Sequence, residues 1–137
     1  MQEYYKFINE PLPYSYKAME PFIDIQTMYL HHDKHLQTYV DNLNKALRDY
    51  PFLQTFTLEQ LLCNLESMPV AISTQLRNNA GGVYNPRFYF NGLSEEHGQK
   101  PLGHLAEEST RQFGRYEKFR EEFTGSASSV FGSGFAC

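Results

Sequence analysis

The sequence predicts a mainly α-helical protein organised around a long antiparallel helical hairpin. Apolar residues between positions 25 and 47 recur at three- and four-residue steps, which is the pattern of an amphipathic helix. A second apolar run at helical spacing follows Thr57 and ends at Pro69. Two further helical stretches are predicted between 102 and 129. Because two antiparallel helices joined by a short connection make a hairpin, the first two helices are expected to pair.

The first helix has the strongest periodic signal in the chain. Asp24 is the expected N-cap, because its carboxylate can accept the free amide hydrogens of the first turn. Pro51 ends the helix, since proline disfavours helical backbone in the residue before it. The apolar stripe consists of Ile25, Met28, Tyr29, His32, Leu36, Tyr39, Val40, Leu43 and Leu47.

A second stripe on the same helix carries the candidate functional residues. His31, His35 and Tyr39 follow one another at four-residue intervals, so two imidazoles and a phenol lie along one face. Two imidazoles at this spacing can project to one point and capture a divalent metal, but two ligands are too few for a tight site. On spacing alone, a hydrogen-bonded or solvated histidine pair is the preferred interpretation.

The segments on either side of the first helix have their own signals. Residues 1–21 are predicted to form an extended arm, because each proline lacks a backbone donor and biases its predecessor away from helix. Thr57 and Gln60 form a capping box ahead of the second helix. The arm's prolines are Pro11, Pro13 and Pro21, and the second helix has its apolar residues at Leu58, Leu61, Leu62, Leu65 and Met68.

The region after Pro69 is predicted as two helices separated by a break. The first runs from Val70 to Asn79 and ends at Gly81 and Gly82, since glycine readily adopts the positive φ of a helix end. Asn85 followed by Pro86 is a good N-cap and first-position pair, so a short helix is expected from there to Asn91.

Composition and charge exclude several classes of protein. The chain has 137 residues and a formal charge of -4, which gives no electrostatic reason to expect nucleic acid as a partner. No apolar run reaches membrane-spanning length, and the amino-terminal segment is too polar for a signal peptide, so no membrane partner and a cytoplasmic location are expected. Cys63 and Cys137 do not make a disulfide framework and are interpreted as reduced thiols.

Four segments in a characteristic order resemble one known family. LPYSYKAMEPFID, TMYLHHDKHLQTYVDNLNKAL, LRNNAGGVYNPRFYFNGL and FGSGFA follow the order seen in the iron/manganese superoxide dismutases. The chain resembles the amino-terminal portion of that family over nearly its whole length. The resemblance implies the family's helical-hairpin domain over residues 1–92 and the helical start of a second domain over 93–137. It also implies that the family's carboxy-terminal α/β domain is missing.

The resemblance implies a reduced metal site. His31 matches a metal ligand of the family, and His35 and Tyr39 match the residues that form the gateway to the metal. The second ligand, a histidine after an asparagine, is replaced by Pro86, which has no donor atom. The family's last two ligands belong to a DxWEH-type motif beyond this sequence. The cofactor is iron or manganese in the family, and Gly82 together with Val83 leaves the choice between them open.

Since only His31 remains of four family ligands, the chain is expected to bind no iron or manganese stably and to be catalytically inactive alone. One alternative is a subunit of a split superoxide dismutase that depends on a partner chain. Others are a non-catalytic helical scaffold or binding module, and a truncated or decayed gene product. Hairpin surface left uncovered by a second domain predicts a homo-oligomer or a partner chain that covers it.

Overall fold

Helices make up most of the structure, a computed structural model that describes residues 4–96, 98–132 and 134–135. Within these residues no strand is formed, so the mainly helical class is confirmed. The chain divides into two compact units, Met1–Glu95 and Glu96–Cys137. The helices are α1 (Ile25–Tyr29), α2 (Gln37–Leu47), α3 (Leu58–Cys63), α4 (Val70–Gly92), α5 (Gly103–Phe113) and α6 (Tyr116–Ser129). None of the helices described here is long and apolar enough to cross a membrane.

The first long helix forms as predicted over 25–47, but it is not α-helical throughout. A π-helical segment, Leu30–Leu36, joins α1 to α2 without interruption. Asp24 is the N-cap, because its Oδ1 accepts a hydrogen bond from the amide of Thr27 at 2.9 Å. The buried face consists of Met28, His32, Leu36, Val40, Leu43 and Leu47.

The π-helical segment coincides with a contact from outside the helix. The side-chain nitrogen of Asn9 donates to the carbonyl of His32 at 2.9 Å. A side chain of the arm thus hydrogen-bonds a backbone carbonyl of the helix within the π-helical segment. Short π segments of this kind occur frequently at functional sites. Local periodicity could not predict this one, because Asn9 lies 23 residues away in the sequence.

The capping box of the second predicted helix is confirmed, but the helix is short. Thr57 Oγ1 accepts from the amide of Gln60 at 3.1 Å, and Gln60 Oε1 accepts from the amide of Thr57 at 2.8 Å. Helix α3 ends at Cys63 and is followed by a 3-10 turn, Leu65–Ser67. The prediction that this helix is the second arm of the hairpin is wrong, because α4 takes that place.

Helix α4 is continuous for 23 residues, so the predicted break at Gly81 and Gly82 and the restart at Pro86 are wrong. Burial explains the difference, since the core-facing residues continue across the glycines as Ile72, Leu76, Ala80, Val83 and Phe90. Burying one large apolar side chain contributes about 1.5–3 kcal/mol. Burial of Val83 and Phe90 together therefore offsets the roughly 3 kcal/mol cost of a proline inside a helix.

The hairpin pairs the first long helix with α4 in antiparallel fashion. Near one end, the rings of His32 and Phe90 meet with centroids 5.6 Å apart. Towards the other end, Tyr39 packs directly against Gly82. From the first contact to the second, the residue number increases along the first helix and decreases along α4. The two helices are therefore antiparallel. The segment between the two arms, including α3, is longer than the predicted short connection.

The second unit contains the two predicted helices, α5 and α6. Gly114 ends α5 at a φ of 77°, a conformation that glycine adopts without strain. Aromatic rings of the two helices contact one another, since the ring centroids of Phe113 and Phe119 lie 5.2 Å apart and those of Phe119 and Phe123 lie 5.8 Å apart. No described residue of this unit is fully buried. His104 is exposed, and His97 lies outside the described residues.

Candidate functional site on the helical hairpin

The two candidate imidazoles stand side by side on the π-helical segment. The ring centroids of His31 and His35 are 5.3 Å apart, and the ring planes are inclined by 19°. Both side chains are exposed. Neither ring makes a hydrogen bond to any residue in the described ranges. The four-residue spacing therefore brings two unengaged imidazoles together at the surface.

Tyr39 continues the predicted stripe and is held by the opposite arm of the hairpin. A Cβ atom added at Gly82 would lie 2.4 Å from Cδ1 of Tyr39, which is far inside van der Waals contact. Only glycine at position 82 leaves room for this ring. The phenol is therefore part of the seam between the two arms, although 39% of the side chain stays exposed.

Pro86 lies on the part of α4 that passes the π-helical segment. It is four residues from Gly82, which contacts Tyr39, and four residues from Phe90, which contacts His32. Its ring has no atom that can bind a metal. Across the ranges that the structure describes, no group of three or more His, Cys, Asp or Glu side chains could hold a metal ion. Pro86 therefore adds no ligand atom to this face of the hairpin.

His32 has polar partners that its sequence position did not predict. Helical periodicity placed it in the apolar stripe of the first long helix. Its Nε2 is 2.9 Å from the carbonyl oxygen of Glu10, and its Nδ1 is 2.7 Å from Oδ1 of Asp33. A carbonyl and a carboxylate are both hydrogen-bond acceptors, so each ring nitrogen faces an acceptor. The ring of His32 is 4% exposed and connects the arm to the first long helix.

Tyr16 completes this network from the amino-terminal arm. Its hydroxyl donates to Oδ1 of Asp33 at 2.7 Å. Burial, followed by the hydrogen bond and the negative charge of Asp33, raises the pKa of Tyr16 to about 12. The Tyr16 hydrogen bond, followed by the bond and charge of His32, lowers the pKa of Asp33. The network ties the arm to the π-helical segment directly beside His31. In the sequence, the only sign of this network is that His32 and Asp33 are neighbours.

A small cavity adjoins the network between the arm and the hairpin. It encloses about 60 Å³, and its lining includes Asn9, Pro11, His32, Arg87 and Phe90. Small-molecule sites usually enclose roughly 300 Å³ or more, so this cavity has room for water-sized molecules only. Arg87 donates to the carbonyl of Ile8, and burial lowers the pKa of its guanidinium. The cavity therefore lies where the arm packs against the hairpin.

Fold and site together define a helical-hairpin domain that presents an exposed histidine pair beside a close helix–helix seam. Residues 5–94 match the family model described as iron/manganese superoxide dismutases, alpha-hairpin domain. This match spans the hairpin and every residue of the candidate site. The chain belongs to the iron/manganese superoxide dismutase family.

Curated relatives agree with this assignment. Superoxide dismutase [Mn] 1 of Leptolyngbya boryana is 43% identical over 127 residues, which cover 93% of this chain and 51% of the relative. Superoxide dismutase [Mn] 3 of the same organism is 43% identical over 125 residues, covering 91% and 52%. Superoxide dismutase [Mn] 2 of Bacillus anthracis is 41% identical over 124 residues, covering 90% and 60%. The chain spans about half the length of the curated relatives it matches.

Proposed function

We propose that this chain is a superoxide dismutase homologue that does not dismutate superoxide on its own. The observation that carries the proposal is Pro86, which stands within α4 at the level of the π-helical segment and offers no ligand atom. By the resemblance, this position should provide the second metal ligand. His31, on the first long helix, matches the family's first ligand.

The chemistry of the reaction makes the ligand count decisive. Dismutation alternately oxidises and reduces one metal ion, and the ligands with their hydrogen-bond partners set its potential and geometry. Imidazole and phenol side chains alone have no redox couple suited to superoxide. A gateway of His35 and Tyr39 has no function without an ion behind it. The family's reaction is therefore expected to be absent from the isolated chain.

Metal content and activity of the purified chain test this proposal. The chain is expressed in medium supplemented with iron and manganese, and both metals are measured alongside superoxide dismutation. We expect neither stoichiometric metal nor activity above background. The P86H variant, which restores the imidazole, should still lack activity because two ligands are not four. Stoichiometric iron or manganese that is lost in the H31A variant would overturn the proposal.

A partner-dependent enzyme is the second candidate function. The chain covers only about half of its relatives, and the hairpin unit exposes large apolar side chains such as Phe22, Val70 and Phe88 at 75%, 91% and 74%. A second chain with the remaining half of the family fold would cover such surface and bring the other ligands. Pro86 counts against this candidate, because such a partner would restore only three ligands.

Co-expression separates the two candidates. The chain is produced with the carboxy-terminal half of the Bacillus anthracis relative, and the complex is assayed for metal and activity. Metal and activity that appear only with the partner would establish the split enzyme. A metal-free complex, or no complex, would favour a non-catalytic scaffold or binding module.

Self-association is a further part of the proposal. We expect a homo-oligomer when no partner chain is present, because the exposed apolar residues of the hairpin favour association. Light scattering at micromolar concentration tests this, and a well-folded monomer would count against it. A cytoplasmic location, with neither nucleic acid nor membrane as partner, stays a prediction from charge and hydropathy.

A further inference from the structure

We propose that residues 7–16, the arm segment, are an exchangeable peptide ligand of the hairpin, and that a second copy of this chain can supply them. The hairpin surface that contacts the arm segment, the arm groove, is then an interaction site for a second copy. This inference goes beyond the proposed function, because it involves no metal. It rests on contacts within the first compact unit.

Side chains of the hairpin bind the backbone of the arm segment. Asn44 Oδ1 accepts from the amide of Phe7 at 2.9 Å, and Asn44 Nδ2 donates to the carbonyl of Phe7 at 2.8 Å. Arg87 donates to the carbonyl of Ile8. Asn44 belongs to the first long helix and Arg87 to α4, so both long helices of the hairpin contribute to the arm groove. These bonds recognise main-chain groups, which any extended peptide carries.

Side chains of the arm segment alternate between the hairpin and solvent. Phe7 is 2% exposed, whereas Ile8 is 49% exposed. Asn9 again faces the hairpin, because its side-chain nitrogen donates to the carbonyl of His32 at 2.9 Å. The carbonyl oxygen of Glu10 lies 2.9 Å from His32 Nε2. Peptide-binding sites commonly divide recognition in this way, since main-chain bonds give affinity and pockets for alternate side chains give specificity.

Two tyrosines complete the arm segment, and a connection follows them. The hydroxyl of Tyr14 donates to the carbonyl of Phe90 at 2.7 Å, and that of Tyr16 donates to Asp33 at 2.7 Å. Residues 17–24 then lead to the first long helix, which begins at Ile25. When extended, this connection spans roughly 25–30 Å. It is therefore long enough to carry the arm segment to a neighbouring copy.

Exchange replaces each contact of the arm segment by the same contact in the other copy. Such swapping of an identical element is a low-cost route to a dimer, because no new surface has to be complementary. A chain's own segment has the advantage of its tether, which gives an effective concentration of about millimolar. At micromolar concentration the arm groove is therefore expected to hold its own segment. A groove whose own segment cannot enter should accept one supplied from outside.

Peptide binding to full-length variants tests the arm groove. F7D places a carboxylate at a buried position, so it excludes the chain's own segment and leaves the arm groove unchanged. F7L is the second variant, because it keeps an apolar side chain there. A synthetic peptide of residues 4–16 is titrated by calorimetry into wild type, F7D, F7L and F7D/N44A. The control peptide carries F7D, and circular dichroism follows folding throughout.

We expect F7D to bind one native peptide per chain and F7L to bind it more weakly. Wild type should bind it at least about tenfold more weakly than F7D, because its own tethered segment competes. F7D/N44A should also lose at least about tenfold in affinity, and the control peptide should not bind. Equal affinity for wild type and F7D, unchanged affinity in F7D/N44A, or no binding to either F7D or F7L would overturn the proposal.

Mixing full-length chains tests exchange between copies. F7D, which has an intact groove, is mixed at equal micromolar concentration with N44A/R87A, which has an intact arm segment and a weakened groove. Native mass spectrometry should show more heterodimer than dimer of either variant alone. The control mixture is F7D with F7D/N44A, in which neither chain has an intact segment. Equal dimer fractions in the two mixtures would contradict exchange. Metal content and activity do not enter these measurements, so they can fail or succeed independently of the proposed function.

Discussion

At the scale of single residues, His32 shows how a buried polar ring can stabilise the fold beside a candidate site. Its ring nitrogens face the Glu10 carbonyl and the Asp33 carboxylate, and Tyr16 donates to the same carboxylate oxygen. The two bonds from the arm span 17 and 22 residues of sequence and join it to the first long helix. The exposed neighbour His31 has no such role, although the two residues are adjacent in the chain.

Replacing His32 should therefore destabilise the protein far more than replacing His31. In H32A, the Glu10 carbonyl and the Asp33 carboxylate lose a donor, and an unsatisfied polar group costs about 1–3 kcal/mol. Urea unfolding followed by circular dichroism measures the difference. H31A is the matched control, because substitutions at exposed positions usually change stability by about 0.5 kcal/mol or less. Equal losses in the two variants would show that the network contributes nothing.

Tyr16 should make stability fall at high pH. Its pKa is raised from 10.0 to about 12 in the folded state, so the unfolded chain loses this proton first. The stabilisation is complete below pH 10 and is lost as the pH rises towards 12. Unfolding midpoints across this range should decline more steeply in wild type than in Y16F, which has no ionisable hydroxyl. Parallel declines would contradict the assignment.

At the scale of elements, the close approach of the two arms depends on one glycine. A Cβ at Gly82 would lie 2.4 Å from the ring of Tyr39, whereas a Cβ at Gly81 would meet nothing within 4 Å. Both glycines lie in the interior of α4, so they share the same cost in helix propensity. They differ only in what faces them across the seam.

Alanine at these two positions should therefore have opposite effects. G82A is expected to destabilise by about 1–3 kcal/mol, because the seam must open to admit the methyl group. G81A is expected to stabilise by roughly 0.5–1 kcal/mol, because alanine is the better helix former and has free space. Chemical unfolding of both variants checks the prediction. A stabilising G82A would mean that the arms are not in close contact.

Pro86 stays inside α4 because the helix on both sides of it is buried. Proline has no amide hydrogen for the carbonyl of Gly82, one turn earlier, and its ring crowds that carbonyl. The P86A variant should restore the hydrogen bond and stabilise the protein by up to about 3 kcal/mol. Thermal unfolding measures this gain. A destabilised P86A would indicate that the proline ring contributes packing that alanine cannot replace.

At the scale of the whole molecule, the two compact units differ in how they are stabilised. The core of buried apolar residues lies entirely within the first unit, from Phe7 to Phe90. In the second unit, the described aromatic residues contact one another but none is fully buried. Burial of apolar surface is the main source of stability, so the two units should differ in local unfolding.

Hydrogen exchange should reveal this difference directly. Amides of α2 and α4 are expected to exchange slowly, because opening them exposes the core. Amides of α5 and α6 should exchange faster by at least about tenfold, since each factor of ten corresponds to only 1.4 kcal/mol of local stability. Peptide-resolved mass spectrometry measures both in one experiment. Equal protection in all four helices would contradict the lower stability expected of the second unit.

The sequence alone determined what depends on local chemistry. Its periodicity predicted the first long helix, and the four-residue spacing placed His31 beside His35. Asp24 and Thr57, predicted as cap residues, are N-caps in the structure. Ordered motifs also identified the family, which the comparisons confirm. Each of these properties is encoded within one or two helical turns, so no distant contact is needed to predict it.

Only the tertiary structure decided which elements pair and where local rules give way. Glycine and proline signals predicted a break in α4, but burial on both sides of Gly81, Gly82 and Pro86 maintains one helix. Asn9 donates to the carbonyl of His32 within the π-helical segment, and the buried ring of His32 faces the carbonyl of Glu10. These partners are distant in sequence, and the free energy of burying and hydrogen-bonding them exists only after the chain has folded.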